Sequence, residues 1–252
     1  MNGIENKQPL LSICIPTYNG GEKLKLAIIA ALRAIHNYSD IEIIVSDNCS
    51  TDNTNDILME FSSCSQMRFY RNNKNLGFNN NMLLLVRQYA KGKYCWVIGD
   101  DDFIDEDALY FIREALVCSK LEYLSVSHRT KTLSEYQNFH LTDRKASYIV
   151  CSFAQAIELN ACSGNILGTF MSSSIFVREK IQSFDFSIFQ ENSWTNYYST
   201  FPNAYLMAVS FRNSVCGCIT IPLLTALVHE KDWDDKNLSL IHISEPTRPE
   251  PI

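Results

Sequence analysis

The sequence predicts an α/β protein: a mostly parallel, Rossmann-like sheet with helices on both faces, followed by a smaller and less regular C-terminal region. Three observations lead to it. Short apolar runs alternate with helix-length segments from Leu10 to Val126, and parallel strands need such crossovers, which are right-handed. Three of those runs end in polar clusters, at Pro16 to Asn19, at Asp47-Asn48 and at Asp100-Asp101-Asp102. In a parallel sheet such clusters converge beyond the carboxyl ends of the strands. The composition, 46% hydrophobic and 20% charged, is that of a folded globular chain and not of a disordered, collagen-like or coiled-coil one.

Each element follows from its local pattern. Leu10 to Ile15 is an apolar run closed by Pro16, a buried strand that meets the turn Pro16-Thr17-Tyr18-Asn19-Gly20-Gly21. Glu22 to Ile35 has helical propensity and a broad apolar face. Ile41 to Val45 is a strand that breaks at Ser46-Asp47-Asn48, and Ser50-Thr51-Asp52 offers caps to a helix running to about Phe61. Met67 to Tyr70 reads as a weaker strand, Asn80 to Tyr89 as a helix that stops by Gly92, and Tyr94 to Ile98 as a strand. A helix is expected over Asp105 to Cys118, with an acidic first turn that the helix dipole favours, and a strand over Leu121 to Val126. A polar stretch, Arg129 to Lys145, then leads to a helix near Ser152 to Asn160 and a strand over Phe170 to Val177. Residues 1–128 and 129–240 are read as two halves of one domain. Residues 241–252 carry three prolines and no apolar periodicity. They resemble a translated sequencing adapter, so they are expected to be non-native or a disordered tail and are set aside from the fold.

The bulk properties narrow the class of function. A net charge of -6 with no Lys/Arg stripe argues against nucleic acid as a partner, because phosphate-backbone binders cluster cations. Nine scattered cysteines without a C-x-x-C pair fit a reducing cytosol better than a disulfide framework. Met1 to Gln8 lacks the apolar core of a secretory signal, and the longest apolar stretch, Val215 to Val228, is too short to span a bilayer. A cytoplasmic protein without a transmembrane segment is expected.

The acidic residues carry the chemistry. Asp100-Asp101-Asp102 directly follows the strand Tyr94 to Ile98 and Gly99. Taken alone, the run also fits an acidic turn that caps the following helix. With Asp47 ending a second strand, and Thr17 with the backbone near Tyr18 on the opposite wall, it reads instead as a site for Mg²⁺ or Mn²⁺ and a diphosphate. Such a cation keeps several waters and needs only one or two carboxylates.

Four ordered segments resemble the family 2 glycosyltransferases of the GT-A fold. They are Ser12-Ile13-Cys14-Ile15-Pro16-Thr17-Tyr18-Asn19-Gly20, then Glu42 through Asp52, then Asn75-Leu76-Gly77, then Trp96-Val97-Ile98-Gly99-Asp100-Asp101-Asp102. The resemblance covers roughly the first 120 residues. It implies that Pro16, Thr17 and Tyr18 contact the nucleotide, that Asp47 reads base and ribose, and that Asn75 and Gly77 lie near the donor. It also implies that the Asp triplet matches the metal-binding D-x-D. Asn48 stands where many members have a second Asp. Gly99 is one candidate for the position of the first Asp of L-D-x-D-D, so the metal ligands are either Asp100 with Asp102 or Asp101 with Asp102. Both registers use Asp102.

Members of this family generally invert at the anomeric carbon, and a base must then take the acceptor's proton. The candidates are Glu191, Asp185 and Glu158, with Glu191 preferred because Trp194 nearby suits a sugar face. His229 with Trp233 is a weaker candidate for a late metal or diphosphate contact. The implied donor is a nucleotide-diphosphate sugar. The implied acceptor is a saccharide, lipid-linked and presented at the cytoplasmic face of the inner membrane, where the protein would be peripheral. A non-catalytic sugar-nucleotide-binding or scaffold protein is the alternative reading, and a nucleotidyltransferase lacks its expected basic Gly-rich loop after the first strand.

Overall fold

A computed structural model describes residues 8–141, 144–145, 147–161, 170–184 and 202–228. Four strands form the first half of the sheet: β1 (Leu11–Thr17), β2 (Ile41–Asp47), β3 (Met67–Arg71) and β4 (Tyr94–Val97). They lie in the order β3-β2-β1-β4 and every pairing among them is parallel. Side chains alternate across a strand, and both faces here are apolar. Leu11, Ile13 and Ile15 of β1 enter one core with Leu24, Ile28 and Trp96. Cys14 enters the other with Ile44, Met82 and Val86. Helix α1 (Gly21–Ile35) covers the first face with Ala27, Ala30, Ala31 and Ala34 among its buried residues, small side chains that let helix and sheet approach closely. Helix α2 (Thr54–Glu60) packs beside α1. Its N-cap is Asn53, which makes no side-chain cap bond, and Asp52, expected as a cap, stands one residue earlier and takes the Thr54 N–H at 3.0 Å in a local turn. Helix α3 (Phe78–Leu84) covers the second face and widens into a π turn over Leu85–Tyr89, closed by the Ala90 N–H on the Leu85 carbonyl.

The second half is mixed. Strand β5 (Asp102–Ile104), helix α4 (Ala108–Cys118), strand β6 (Tyr123–Lys131), helix α5 (Leu133–Gln137), strand β7 (Ile149–Cys151) and helix α6 (Phe153–Ala161) come first. Strand β8 (Ser174–Val177), helix α7 (Arg178–Gln182), helix α8 (Pro202–Phe211) and strand β9 (Cys216–Leu227) follow. The sheet continues from β4 as β8-β6-β9-β5, with β7 also on β9, and every antiparallel pair involves β8 or β9. One sheet thus runs through both halves of the chain, and the α/β class with its parallel first half is as read from the sequence.

One local expectation is corrected. The helix expected from Asp105 starts at Ala108 and has no acidic residue in its first turn. Residues 105–107 instead form a turn that follows β5, which pairs antiparallel with β9 through Asp102↔Ala226 and Ile104↔Leu224. The apolar run over 215–228 is the long strand β9, which tolerates Pro222 because its register against β6 slips there. The slip leaves the Pro222 carbonyl to Arg129 Nη2 at 2.9 Å and to Arg144. Both guanidiniums also hold Asp105, Arg129 at 2.7 and 2.8 Å and Arg144 at 2.8 Å. Residues 241–252 lie outside the described residues.

Candidate functional site

From β1 the chain passes to β2 and β3 on one side and returns to β4 on the other. The crevice between the carboxyl ends of β1 and β4 is therefore the switch point of the sheet, where ligands of open α/β sheets bind. Thr17 at the end of β1 bridges it by donating its hydroxyl to Asp100 Oδ2 at 2.5 Å. Gly20 makes room for that bridge, since a Cβ there would lie 2.8 Å from Asp100 Oδ2 and closer still to the Thr17 hydroxyl.

The carboxylates are held by different partners. Asp102 is buried and accepts from the Ser172 hydroxyl and, at 3.2 Å, from the Gly99 N–H. Ser172 Oγ in turn accepts the Gly99 N–H at 3.0 Å, and the indole of the fully buried Trp96 anchors the Ser172 carbonyl at 2.7 Å. Position 99 must stay without a side chain, because a Cβ would lie 2.8 Å from Asp102 Oδ2 and 3.0 Å from Asp101 Oδ1. Burial, followed by the neighbouring Asp101 charge, pushes the Asp102 carboxyl up to about 8. The same two causes push Asp100 up to about 6, against the hydrogen bond from Thr17, which lowers it.

The Asp101 charge raises the proton affinity of Asp100 and Asp102, and carboxylates gathered this closely are a donor set suited to a divalent cation. Among the described residues no closed cage of three His, Cys, Asp or Glu side chains forms, and Mg²⁺ or Mn²⁺ beside a substrate diphosphate does not need one. Ser172→Ala is expected to remove a bond that lowers the proton affinity of Asp102. Half-saturation by Mn²⁺, read by thermal shift, should then rise several-fold at pH 7 and less at pH 8.5, where protons compete less. An equal effect at both pH values would show that Ser172 does not act through Asp102.

Asp47 lies on the other wall, in register with Thr17 and with Arg71 at the end of β3. It is fully buried, accepting from the Ser50 N–H at 2.9 Å and from Arg71, which also donates to the Ser50 carbonyl at 2.8 Å. The exposed group of this wall is thus the Arg71 guanidinium, which the sequence reading missed. Its position at the end of the third strand, level with Asp47, was the available signal.

The remaining residues of the site line the same sheet edge. Pro16 is buried at the end of β1, pairing with Ser46, and Tyr18 follows it half-buried. Asn19 and Cys49 both adopt left-handed backbone, φ 55° and 66°. Asn19 joins the two loops by accepting the Thr51 N–H and donating its own N–H to Ser50 Oγ, both at 2.8 Å. Asn75 and Gly77 sit exposed ahead of α3, and Gly77 has φ 76°. Glu191, Asp185, Trp194, His229 and Trp233 lie outside the described residues, and Glu158 is exposed on α6.

Fold and site together define an α/β protein with a carboxylate-lined crevice at its switch point. The glycosyl transferase family 2 model matches residues 12–174, and the chain belongs to that family. Over 82% of its length it is 32% identical to the abequosyltransferase RfbV of Salmonella typhimurium, of which it spans 62%. The GT-A fold is shared with S. aureus TarS, solved in complex with UDP-GlcNAc. That match has a TM-score of 0.65 and 13% identity over 90% of this chain and 61% of the solved TarS 1-349 chain. A mannosyltransferase from Pyrobaculum calidifontis, solved with GDP-Man and Mn²⁺, matches with a TM-score of 0.57. Its identity is 14%, over 90% of this chain and 59% of that one. No helix among the described residues is long and apolar enough to cross a membrane.

Proposed function

We propose that the chain transfers a sugar from a nucleotide-diphosphate donor to a saccharide acceptor, using the crevice between β1 and β4. The observation that carries this reading is the meeting of Thr17, Asp100 and the buried Asp102 at the switch point of the sheet. The family supports it, as do a relative named for sugar transfer and two structural neighbours solved with nucleotide sugars.

The wall of Thr17, Tyr18, Asp47 and Arg71 receives the nucleoside, with Pro16, Asn75 and Gly77 shaping the pocket around it. Asp102, with Asp101 or Asp100, would hold Mg²⁺ or Mn²⁺. When bound, that cation neutralises the charge that develops on the departing diphosphate. Ser172 and the Gly99 N–H fix Asp102 so that its carboxylate is preorganised for this role. Residues 129–240 form the acceptor side, and Glu191 takes the proton of the attacking hydroxyl in a single inverting displacement. The acceptor is lipid-linked, and the protein works at the cytoplasmic face of the membrane that carries it.

The raised carboxyls give the test its sign. The folded, metal-free protein keeps protons on Asp102 and Asp100 that the unfolded chain has released. Their contribution to stability is therefore present at low pH and is lost as pH rises toward 8. A cation replaces those protons. A thermal-shift screen of UDP-, GDP-, CDP- and TDP-sugars with Mn²⁺ should raise Tm for at least one donor, and more at pH 8 than at pH 6. The same donor should turn over with a saccharide acceptor. A Mn²⁺ effect that is absent, or larger at pH 6, would remove the metal from this reading.

A further inference from the structure

A buried network of amides lies behind the nucleoside wall, apart from the carboxylate triplet. Ser46 donates its hydroxyl to Asn81 Oδ1 at 2.6 Å, and Asn81 Nδ2 returns a bond to the Ser46 carbonyl at 3.0 Å. Asn72 Nδ2 donates to Asn81 Oδ1 at 2.9 Å and to Asn48 Oδ1 at 3.0 Å, while the Asn72 N–H donates to the Asp47 carbonyl at 2.8 Å. Asn48 Nδ2 donates to Asn75 Oδ1 at 2.7 Å. Ser46, Asn48, Asn72 and Asn81 are all buried, and only Asn75 at the end of the chain of bonds is exposed.

Backbone groups fix the direction of the bonds. Asn48 Oδ1 faces the Leu76 N–H at 2.9 Å, so the other end of its amide must be the donor. Asn75 Oδ1 faces the Gly77 N–H at 2.8 Å, so it must be the acceptor. Position 48 therefore gives a proton to position 75 and cannot receive one. A carboxylate at 48 has no proton to give and would confront Asn75 Oδ1. Rotating Asn75 to meet it would break the bond to Gly77. A carboxylate at 75, by contrast, accepts both bonds unchanged.

We propose that Asn48 is a positioning residue for the nucleoside of the donor: its amide holds the Asn75-Leu76-Gly77 loop beside the Asp47–Arg71 wall. This rests on the reading that the wall receives the nucleotide. Burial alone would also make a carboxylate worse at 48 than at 75, so the discriminating pair is Asn75→Asp, which keeps both bonds, against Asn75→Ala, which loses them.

The test measures the Kd of UDP, GDP, CDP and TDP with Mn²⁺ by calorimetry on the wild type, Asn48→Asp, Asn75→Asp and Asn75→Ala, with Tm for each. Asn48→Asp is expected to weaken binding about tenfold, since a buried partner is lost and replaced by repulsion. Asn75→Ala is expected to weaken it about fivefold, and Asn75→Asp, which keeps both bonds, to weaken it less than either of the other two. Equal losses in the two Asp variants would overturn the proposal in favour of simple charge, and so would wild-type binding by Asn48→Asp. If Asn48→Asp does not fold, the exposed position decides: an Asn75→Asp as weak as Asn75→Ala overturns the proposal. A wild type that binds none of the four nucleotides would fell the donor reading itself, and the role of Asn48 with it.

Discussion

Asp102→Asn is expected to lower sugar transfer by at least about a hundredfold while leaving Tm of the metal-free protein unchanged at pH 7. The activity loss follows from charge. A metal ligand that neutralises a departing diphosphate contributes several kcal/mol in the transition state, and each 1.4 kcal/mol is tenfold in rate. An amide cannot supply that charge. The unchanged stability follows from the local bonds, because both partners of Asp102, the Ser172 hydroxyl and the Gly99 N–H, are donors that an amide oxygen can also satisfy. Burial and Asp101 already favour the protonated, neutral carboxyl at pH 7, so the substitution removes little charge from the metal-free fold. At pH 9 the variant should melt above the wild type, which by then carries a buried, ionised carboxylate. Transfer within tenfold of wild type would exclude Asp102 as a ligand. A large fall in Tm at pH 7 would show that its role is structural.

Asp105→Ala is expected to be the most damaging single change to stability, by about 3–5 kcal/mol, with Tm lower by on the order of 10 °C. Asp105 is only 3% exposed and holds two guanidiniums that are 16% and 11% exposed. Its removal leaves Arg129 and Arg144 close to one another at the Pro222 carbonyl without the carboxylate they share, and Asp107 remains only on Arg144. Breaking a buried ion cluster from its centre costs more than trimming it from outside. Arg144→Ala keeps the Asp105–Arg129 pair and should cost less than half as much. Chemical denaturation of both variants checks the order. A loss below about 1 kcal/mol for Asp105→Ala would mean that solvent screens the cluster as it does a surface pair.

Asp105 also shows where sequence reading reached its limit. Beside Glu106 and Asp107, ahead of an amphipathic segment, it reads as the acidic first turn of a helix. Its two arginine partners lie 24 and 39 residues further on, so no local window contains them. The same distance hid Ser172, 70 residues from the Asp102 it orients, and Arg71, 24 residues from Asp47. Asn48 was legible as a departure from the family pattern. Its use became visible only when Asn72, Asn75 and Asn81 were seen to converge on it.

The sequence by itself determined the strand and helix order of the first half and the sheet edge on which Thr17, Asp47 and Asp100 to Asp102 meet. Those features follow from local physics: apolar periodicity, proline and glycine punctuation, and the rule that parallel strands end together. Only the tertiary structure decided that β5 and β9 zip together, that the buried Asp47 is covered by Arg71, and which partner holds each carboxylate. These are pairings between segments far apart in the chain, and side-chain hydrogen bonds and ion pairs carry no period that a sequence displays.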